Sequence, residues 1–496
     1  MSGEAAKTSA DAGSGKRVVR NTAVLVILRF VVPAMSLPVV LLLSRRLGSE
    51  ALGRYTLAYT WLYFFNTVAP LGLYSIVTRD GARDRRRLGP LLSNATTLGA
   101  LAALASTIAM AVCAFRFGYD QATARAIALL AMALLPWTVG SLLEGGFVAL
   151  ERMDHLAWTA LAESVVKVGL GVAALLSGLG VEAVLLGAVV ARVLACGVAL
   201  GLLRSVGVRV GPAFDRATHR ALLRVAPTFL LVGIFATLYW RIDVFMLSKM
   251  RPVEDVGYYG AAWRLLELAM VVPQSLCLSL YPQLVAAVHE DRARVARLGA
   301  LASRYLLALA LPAAVLFTVL GRPILRLFYG SGFDPAVPSL VVLMWTLVPY
   351  GIVRYHAYLL VGADHQRVDL WMNVLMTGVN VVLNLVLIPT MGPVGAAIAT
   401  LVSVLVYAAS QIAFLSARLP GTAAPLGLAA RPVIAALVAG AIAWVLRDAP
   451  VVLSASLAGA SYAGILLATG FVGANEMESL GLGRLAFLAR GRGEAA

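Results

Sequence analysis

Seven basic side chains lie inside long apolar runs of this sequence: Arg29, Lys167, Arg192, Arg241, Arg264, Arg304 and Arg354. The acids lying comparably far from the ends of such runs are Glu144, Glu163, Asp243 and Glu267. A basic side chain at a bilayer centre costs about 2.5–3.5 kcal/mol on insertion scales, so each must face a cavity or a partner. Some find one locally. Glu163 and Lys167 are four apart in the favourable order and would pair on one helix face, and Arg264 and Glu267, three apart, would neutralise each other. Arg192 and Arg304 lie close enough to the ends of their runs to snorkel, and Glu144, beside Gly145-Gly146, would be wet. Arg29, Arg241 and Arg354 lack such outlets. Arg29 has no acid near it in the chain and is followed by Pro33 and Pro38. Arg241 and Asp243 diverge by roughly 200° on a helix, so they need other partners. Arg354 has the polar Tyr350, Tyr355 and His356 beside it, which suits a water-filled setting. Guanidinium forks inside a membrane support capture of an anion, because their planar donors match phosphate or carboxylate oxygens. The candidate ligand-binding cations are therefore Arg29, Arg241, Arg264, Arg354 and Lys167. The candidate counter-charges or coupling groups are Asp243, Glu267 and Glu163.

No metal, cofactor or catalytic chemistry is expected. Cys113, Cys196 and Cys277 each sit in an apolar run with neither metal nor disulfide spacing, and the five histidines are scattered. Gly13-Ser14-Gly15-Lys16 lacks the earlier glycine and the preceding strand of a phosphate loop.

The elements that must hold these charges follow from composition. The 496 residues are 60% hydrophobic and only 13% charged, with a mean hydropathy of +0.86. That is far more apolar than a soluble chain of this length could cover with polar surface. The apolar runs are long and solid rather than alternating, so the fold class is an all-α polytopic membrane protein and not a β-barrel. Fourteen segments each reach the roughly 20 residues of a span: 21–44, 52–78, 88–115, 122–149, 156–177, 181–203, 221–248, 256–288, 299–321, 335–361, 368–389, 393–417, 429–446 and 450–473. The first is too long for a cleaved signal peptide and reads as a signal anchor. One boundary is forced by geometry. Residues 370–417 carry no charge over 48 residues; a single helix there would be about 72 Å long, more than twice the hydrocarbon thickness. The break must fall at Pro389–Gly395, where two prolines and two glycines interrupt the run.

Alternating from an inside N-terminus puts 24 of the 41 basic residues on the inside, ten on the outside and seven within spans. That bias places both termini in the cytoplasm and assigns the +16 net charge to a positive-inside rim near anionic lipid rather than to nucleic acid. A reporter fused after residue 83 or 292 is expected to report the cytoplasm, and one after 330 the outside. An external signal at 83 would overturn the span count of the first half.

The sequence also repeats itself. Leu43, Ser44, Glu50, Gly53, Tyr55 and Ala58 recur 204 residues later as Leu247, Ser248, Glu254, Gly257, Tyr259 and Ala262. At an offset of 213, Trp158 matches Trp371, and Val181 and Ala183 match Val394 and Ala396. Both echoes map span n onto span n + 6. They predict two six-helix lobes around a central cavity, related by an axis along the membrane normal, with a site between them. Residues 1–20 are then a cytoplasmic tail, 21–204 the N-lobe, 205–220 a cytoplasmic linker, 221–417 the C-lobe, 429–473 an appended pair of spans and 474–496 a second tail.

Several motifs resemble those of the lipid-linked polysaccharide flippases, the O-antigen and exopolysaccharide transporters of the multidrug/oligosaccharidyl-lipid/polysaccharide exporter superfamily. They are Gly53-Arg54-Tyr55 and its repeat Gly257-Tyr258-Tyr259, Arg241-Ile242-Asp243, Leu327-Phe328-Tyr329-Gly330, and Asn384-Leu385-Val386-Leu387-Ile388-Pro389 followed by Gly392-Pro393-Val394-Gly395-Ala396-Ala397. The resemblance covers about residues 20–475. It implies two lobes around a central cavity, alternating access, a lipid-linked oligosaccharide as substrate in a bacterial inner membrane, and a polymerase and glycosyltransferases as pathway partners. A cation-coupled multidrug exporter of the same superfamily is the alternative, but it wants a buried N-lobe carboxylate and spans one and two contain none. A membrane polysaccharide polymerase or glycosyltransferase would need a long external catalytic loop. The longest here is about residues 322–334, with Asp334 as its one acid, so no enzyme activity is expected.

Overall fold

The computed structural model describes residues 2–419 and 430–471, without the side chains of residues 2–30, 33, 225, 228, 229, 231–236, 238 and 239. Among these the chain is helical, with no strand. Its helices are α1 (Ser2–Val68), α2 (Leu73–Arg83), α3 (Leu88–Arg116), α4 (Gln121–Ala131), α5 (Leu134–Ala149), α6 (Met153–Leu176), α7 (Val181–Ser205), α8 (Arg216–Met250), α9 (Val253–Val288), α10 (Arg292–Tyr329), α11 (Val337–Gly362), α12 (Gln366–Met391), α13 (Pro393–Arg418), α14 (Ala430–Val445) and α15 (Val451–Ala468). Among the described residues, ten helical stretches are long and apolar enough to cross a membrane. The chain divides into two compact units, residues 1–257 and 258–496.

Two expected spans are not single helices. The second was expected to run unbroken to residue 78, but α1 stops at Val68 and α2 starts at Leu73. Pro70 has no N–H to donate, and Leu71 (φ 52°) and Gly72 (φ 69°) turn left-handed between the pieces. The fourth span divides at Met132-Ala133 into α4 and α5. Pro136 cannot donate to the carbonyl of residue 132, so the helix restarts with proline in its first turn. The predicted break near residue 392 is where expected: α12 ends at Met391, Gly392 takes φ 56°, and Pro393 opens α13.

The first two spans are joined without a loop. α1 continues through a kink at Gly48 (φ 80°, ψ −170°), a conformation that glycine adopts at no steric penalty. Just beyond it α1 crosses the first turn of α9 in backbone contact. A Cβ built on Gly53 would lie 2.0 Å from the carbonyl oxygen of Val253, and one on Gly257 would lie 2.0 Å from that of Ser49. The two copies of the 204-residue repeat thus touch each other through matching glycines.

The stretch after α7 is pinned rather than loose. The N–H groups of Gly211, Ala213 and Asp215 donate to Ser93, Thr97 and Asn94 on one face of α3 (3.3, 3.0 and 2.8 Å). Asp215 then caps α8 by accepting from the N–H groups of Ala217 and Thr218, and the Thr218 hydroxyl holds its carboxyl below the usual carboxylate range. In the second unit α12 and α13 are zipped by polar side chains. Tyr407 Oη donates to Asp369 (2.7 Å), Asn373 donates to Tyr407 (2.6 Å) and Asn380 donates to Ser403 (3.3 Å). Such bonds join helices where apolar contact alone does not favour protein over lipid. α14 lays Ala435, Ala436, Ala439 and Ala443 into the core it forms with α10, and Tyr462 of α15 donates to the Ala308 carbonyl (2.7 Å).

Candidate functional site

The charges of the first unit gather on α5, α6 and α7. Trp137, Gly140 and Glu144 recur at helical spacing on one face of α5. Arg192, midway along α7 and 5% exposed, lies along that strip. Its Nη1 donates to Glu144 at 3.0 Å and to Glu163 of α6 at 2.6 Å. Its Nη2 donates to the Trp137 carbonyl at 3.3 Å, and its guanidinium carbon stands 5.1 Å from the Trp137 ring centroid. These contacts correct two expectations. Arg192 does not snorkel, because it sits too deep in α7 and finds two carboxylates there. Glu144 is not simply wet; Arg192 holds it.

Arg241 on α8 rests its guanidinium over the ring of Tyr63, 4.7 Å from the centroid. Tyr63 in turn meets the Trp137 ring edge-on (6.5 Å, 74°). Asp243, on the same helix, is buried at 3% exposure and accepts from the Val244 N–H. Lys167 lines a small pocket, with room for about one water, together with Ser36, Val39, Tyr55, Tyr59, Val184 and Ala188. Glu163, the partner expected for Lys167 from their spacing, bonds Arg192 from the neighbouring helix. The side chain of Arg29 lies outside the described residues, as does that of Tyr239.

The second unit holds the other candidates. Arg264 and Glu267 pair at 3.1 Å on α9, as their spacing predicts, and Trp263 donates to the same carboxylate at 3.1 Å. Arg354 of α11 stands 5.4 Å from the ring centroid of Tyr358, and its Nε is buried without a hydrogen-bond partner. Gln274 donates to Tyr350 one turn away (2.7 Å). Among the described residues no three His, Cys, Asp or Glu side chains come together as a metal site. The recurring arrangement is a guanidinium laid on an aromatic face inside the membrane.

Sequence reasoning missed Trp137, Gly140 and Tyr63. The α5 strip had a signal, since aromatic, glycine and acid share one helical face, but nothing in the chain said which helix would supply the arginine.

The sequence pattern of a family described as polysaccharide biosynthesis protein matches residues 18–288, and a second, MatE, matches residues 227–386. The chain is 31% identical over 173 residues to the probable flippase AglR of Haloferax volcanii, covering 33% of this chain and 35% of that one. The match thus spans about a third of that relative's length. It is 23% identical over 384 residues to the probable low-salt glycan biosynthesis flippase Agl15 of the same organism, covering 75% of this chain and 78% of that one. Among solved structures, lipid II flippase MurJ in an inward closed conformation superposes with a TM-score of 0.73 at 15% identity, over 92% of this chain and 98% of that one. A MOP superfamily transporter from Pyrococcus furiosus gives a TM-score of 0.57 at 16% identity, over 80% and 95%. These likenesses establish the fold.

Proposed function

The chain belongs to the polysaccharide biosynthesis protein family, and from that premise we propose that it is a flippase moving a polyprenyl-pyrophosphate-linked oligosaccharide across the cytoplasmic membrane for cell-surface polysaccharide synthesis. In this reading fourteen spans form an N-lobe (21–204), a linker (205–220), a C-lobe (221–417) and an appended pair (429–473), both termini are cytoplasmic, and the lobes alternate access to a central cavity. Glycosyltransferases build the substrate and a polymerase consumes it.

The observation that carries the proposal is Arg241 over Tyr63, its guanidinium carbon 4.7 Å from the ring centroid, within an apolar helix. A pyrophosphate cannot cross a low-dielectric layer without compensating positive charge. An arginine already stacked gives up little further freedom when its edge meets phosphate. Arg29, Arg264, Arg354 and Lys167 are the other cations of the path, with Asp243, Glu267 and Glu163 as counter-charges. The name of one Haloferax volcanii relative, a probable low-salt glycan biosynthesis flippase, agrees with a glycan substrate. The drug-exporter alternative needs a carboxylate ready for Na⁺ or H⁺. Glu144 and Glu163 both engage Arg192 instead.

The test is outward movement of a lipid-linked oligosaccharide in proteoliposomes, normalised to inserted protein. Arg241→Ala should reduce transport at least about tenfold, while Arg241→Lys, which keeps the charge and loses the fork, should retain part of it. The same ordering is expected at Arg29. Wild-type transport by both alanine variants would remove the main physical support for a flippase.

A further inference from the structure

Arg192 is built into place more thoroughly than an ion pair requires. Gly140 sits on α5 between Trp137 and Glu144, and a Cβ there would lie 2.9 Å from Arg192 Nη2, 3.2 Å from Cζ and 3.3 Å from Nε. The missing side chain is what lets the guanidinium lie against the helix. Two carboxylates from different helices then hold one of its nitrogens, at 3.0 and 2.6 Å. Its guanidinium carbon lies over the Trp137 ring, that ring meets Tyr63, and Arg241 lies over Tyr63. The chain of contacts runs from α7 through α5 and α1 to α8, and all of it lies within the first compact unit.

We propose that Arg192 is a positioning residue for the headgroup-binding Arg241, acting through the rings of Trp137 and Tyr63. This rests on the reading of Arg241 as a substrate contact. A tryptophan covered by a fixed guanidinium loses freedom to rotate about χ2. An edge-on neighbour then confines Tyr63, and a confined Tyr63 fixes the plane of the guanidinium above it. The guanidinium of Arg241 is thereby restrained before substrate arrives, so binding loses less side-chain entropy. Arg192 itself, with both carboxylates on it, touches no substrate. Its contribution should appear in how tightly the headgroup binds rather than in how fast a bound headgroup is moved.

Gly140→Ala is the sharpest probe, because it leaves every charge and ring in place and adds one methyl group under the guanidinium. Transport of a defined polyprenyl-pyrophosphate oligosaccharide would be followed in proteoliposomes over a range of substrate concentrations. Gly140→Ala should raise KM about fivefold with kcat little changed. The same substitution in an Arg241→Lys background should add almost nothing, because there is no stacked fork left to misplace. Tyr63→Leu should reproduce the KM increase and remove the dependence on Gly140, whereas Tyr63→Phe, which keeps the ring, should preserve that dependence. Should Gly140→Ala insert poorly, the Tyr63→Leu and Tyr63→Phe pair in the two Arg241 backgrounds makes the same measurement. A KM increase from Gly140→Ala that persists in full with Arg241→Lys would overturn the proposal, since its effect would then bypass Arg241. If Arg241→Ala itself transports normally, the substrate contact is lost as an idea and the positioning role falls with it. That outcome is distinguished by the single variant alone.

Discussion

Arg192→Met should leave little folded protein, and Glu144→Gln with Glu163→Gln in the same chain should bring it back. Removing the arginine leaves two carboxylates from α5 and α6 facing each other without the cation that holds both. Breaking a buried pair by deleting one partner costs about 3–5 kcal/mol, because the stranded charge has lost its water. Here one deletion strands two like charges, so the effect belongs at the upper end. Methionine fills much of the volume of the arginine stem, so the loss reports charge rather than a cavity. The glutamines remove the charge and keep polar atoms able to bond one another. Thermal melting in detergent and the monodisperse fraction on size exclusion would follow all variants. Wild-type melting of Arg192→Met alone would show that the triad is a bystander to stability.

Gly53→Ala should be nearly as damaging, and so should Gly257→Ala. Each added Cβ would stand 2.0 Å from a carbonyl oxygen of the facing helix and 3.1 Å from its glycine nitrogen. Overpacking a well-fitted site usually costs about 1–3 kcal/mol, with neighbouring side chains absorbing part of it. The neighbour here is backbone, which has no rotamer to change, so α1 and α9 must separate and about 3 kcal/mol is expected. Because one separation relieves both clashes, the double variant should melt close to either single one. Additive losses would mean that the two glycines are not opposite sides of one crossing.

The contrast between these sites explains what the sequence could disclose. Helix ends written in local chemistry were legible: Pro393 after Gly392, and the 3.6-residue spacing that joins Arg264 to Glu267. Breaks buried in apolar runs were not, because hydropathy is blind to Pro70 and Pro136, although their missing N–H groups force the turns at 69–72 and 132–133. The candidate site was half legible. Intramembrane cost singled out Arg241, whereas position near the end of its run made Arg192 read as snorkelling. The Arg192 to Glu144 and Glu163 bonds span 48 and 29 residues, and they depend on how three helices rotate about their axes. Composition does not encode that rotation. Spacing pointed Glu163 at Lys167 on its own helix and gave no sign of the interhelical bond from Arg192.

Because the Gly53–Gly257 crossing maps onto itself under the 204-residue offset, it is the kind of contact that two copies of a half-length chain would make across a two-fold axis. In such a dimer one codon would govern both sides of the contact, and any change would strike twice. In a single fused chain each side drifts alone. The neighbouring positions show that liberty in use, with Ala51 matched by Asp255 and Arg54 by Tyr258. The glycines show where it ends: a site with room for no side chain leaves both positions the same single choice.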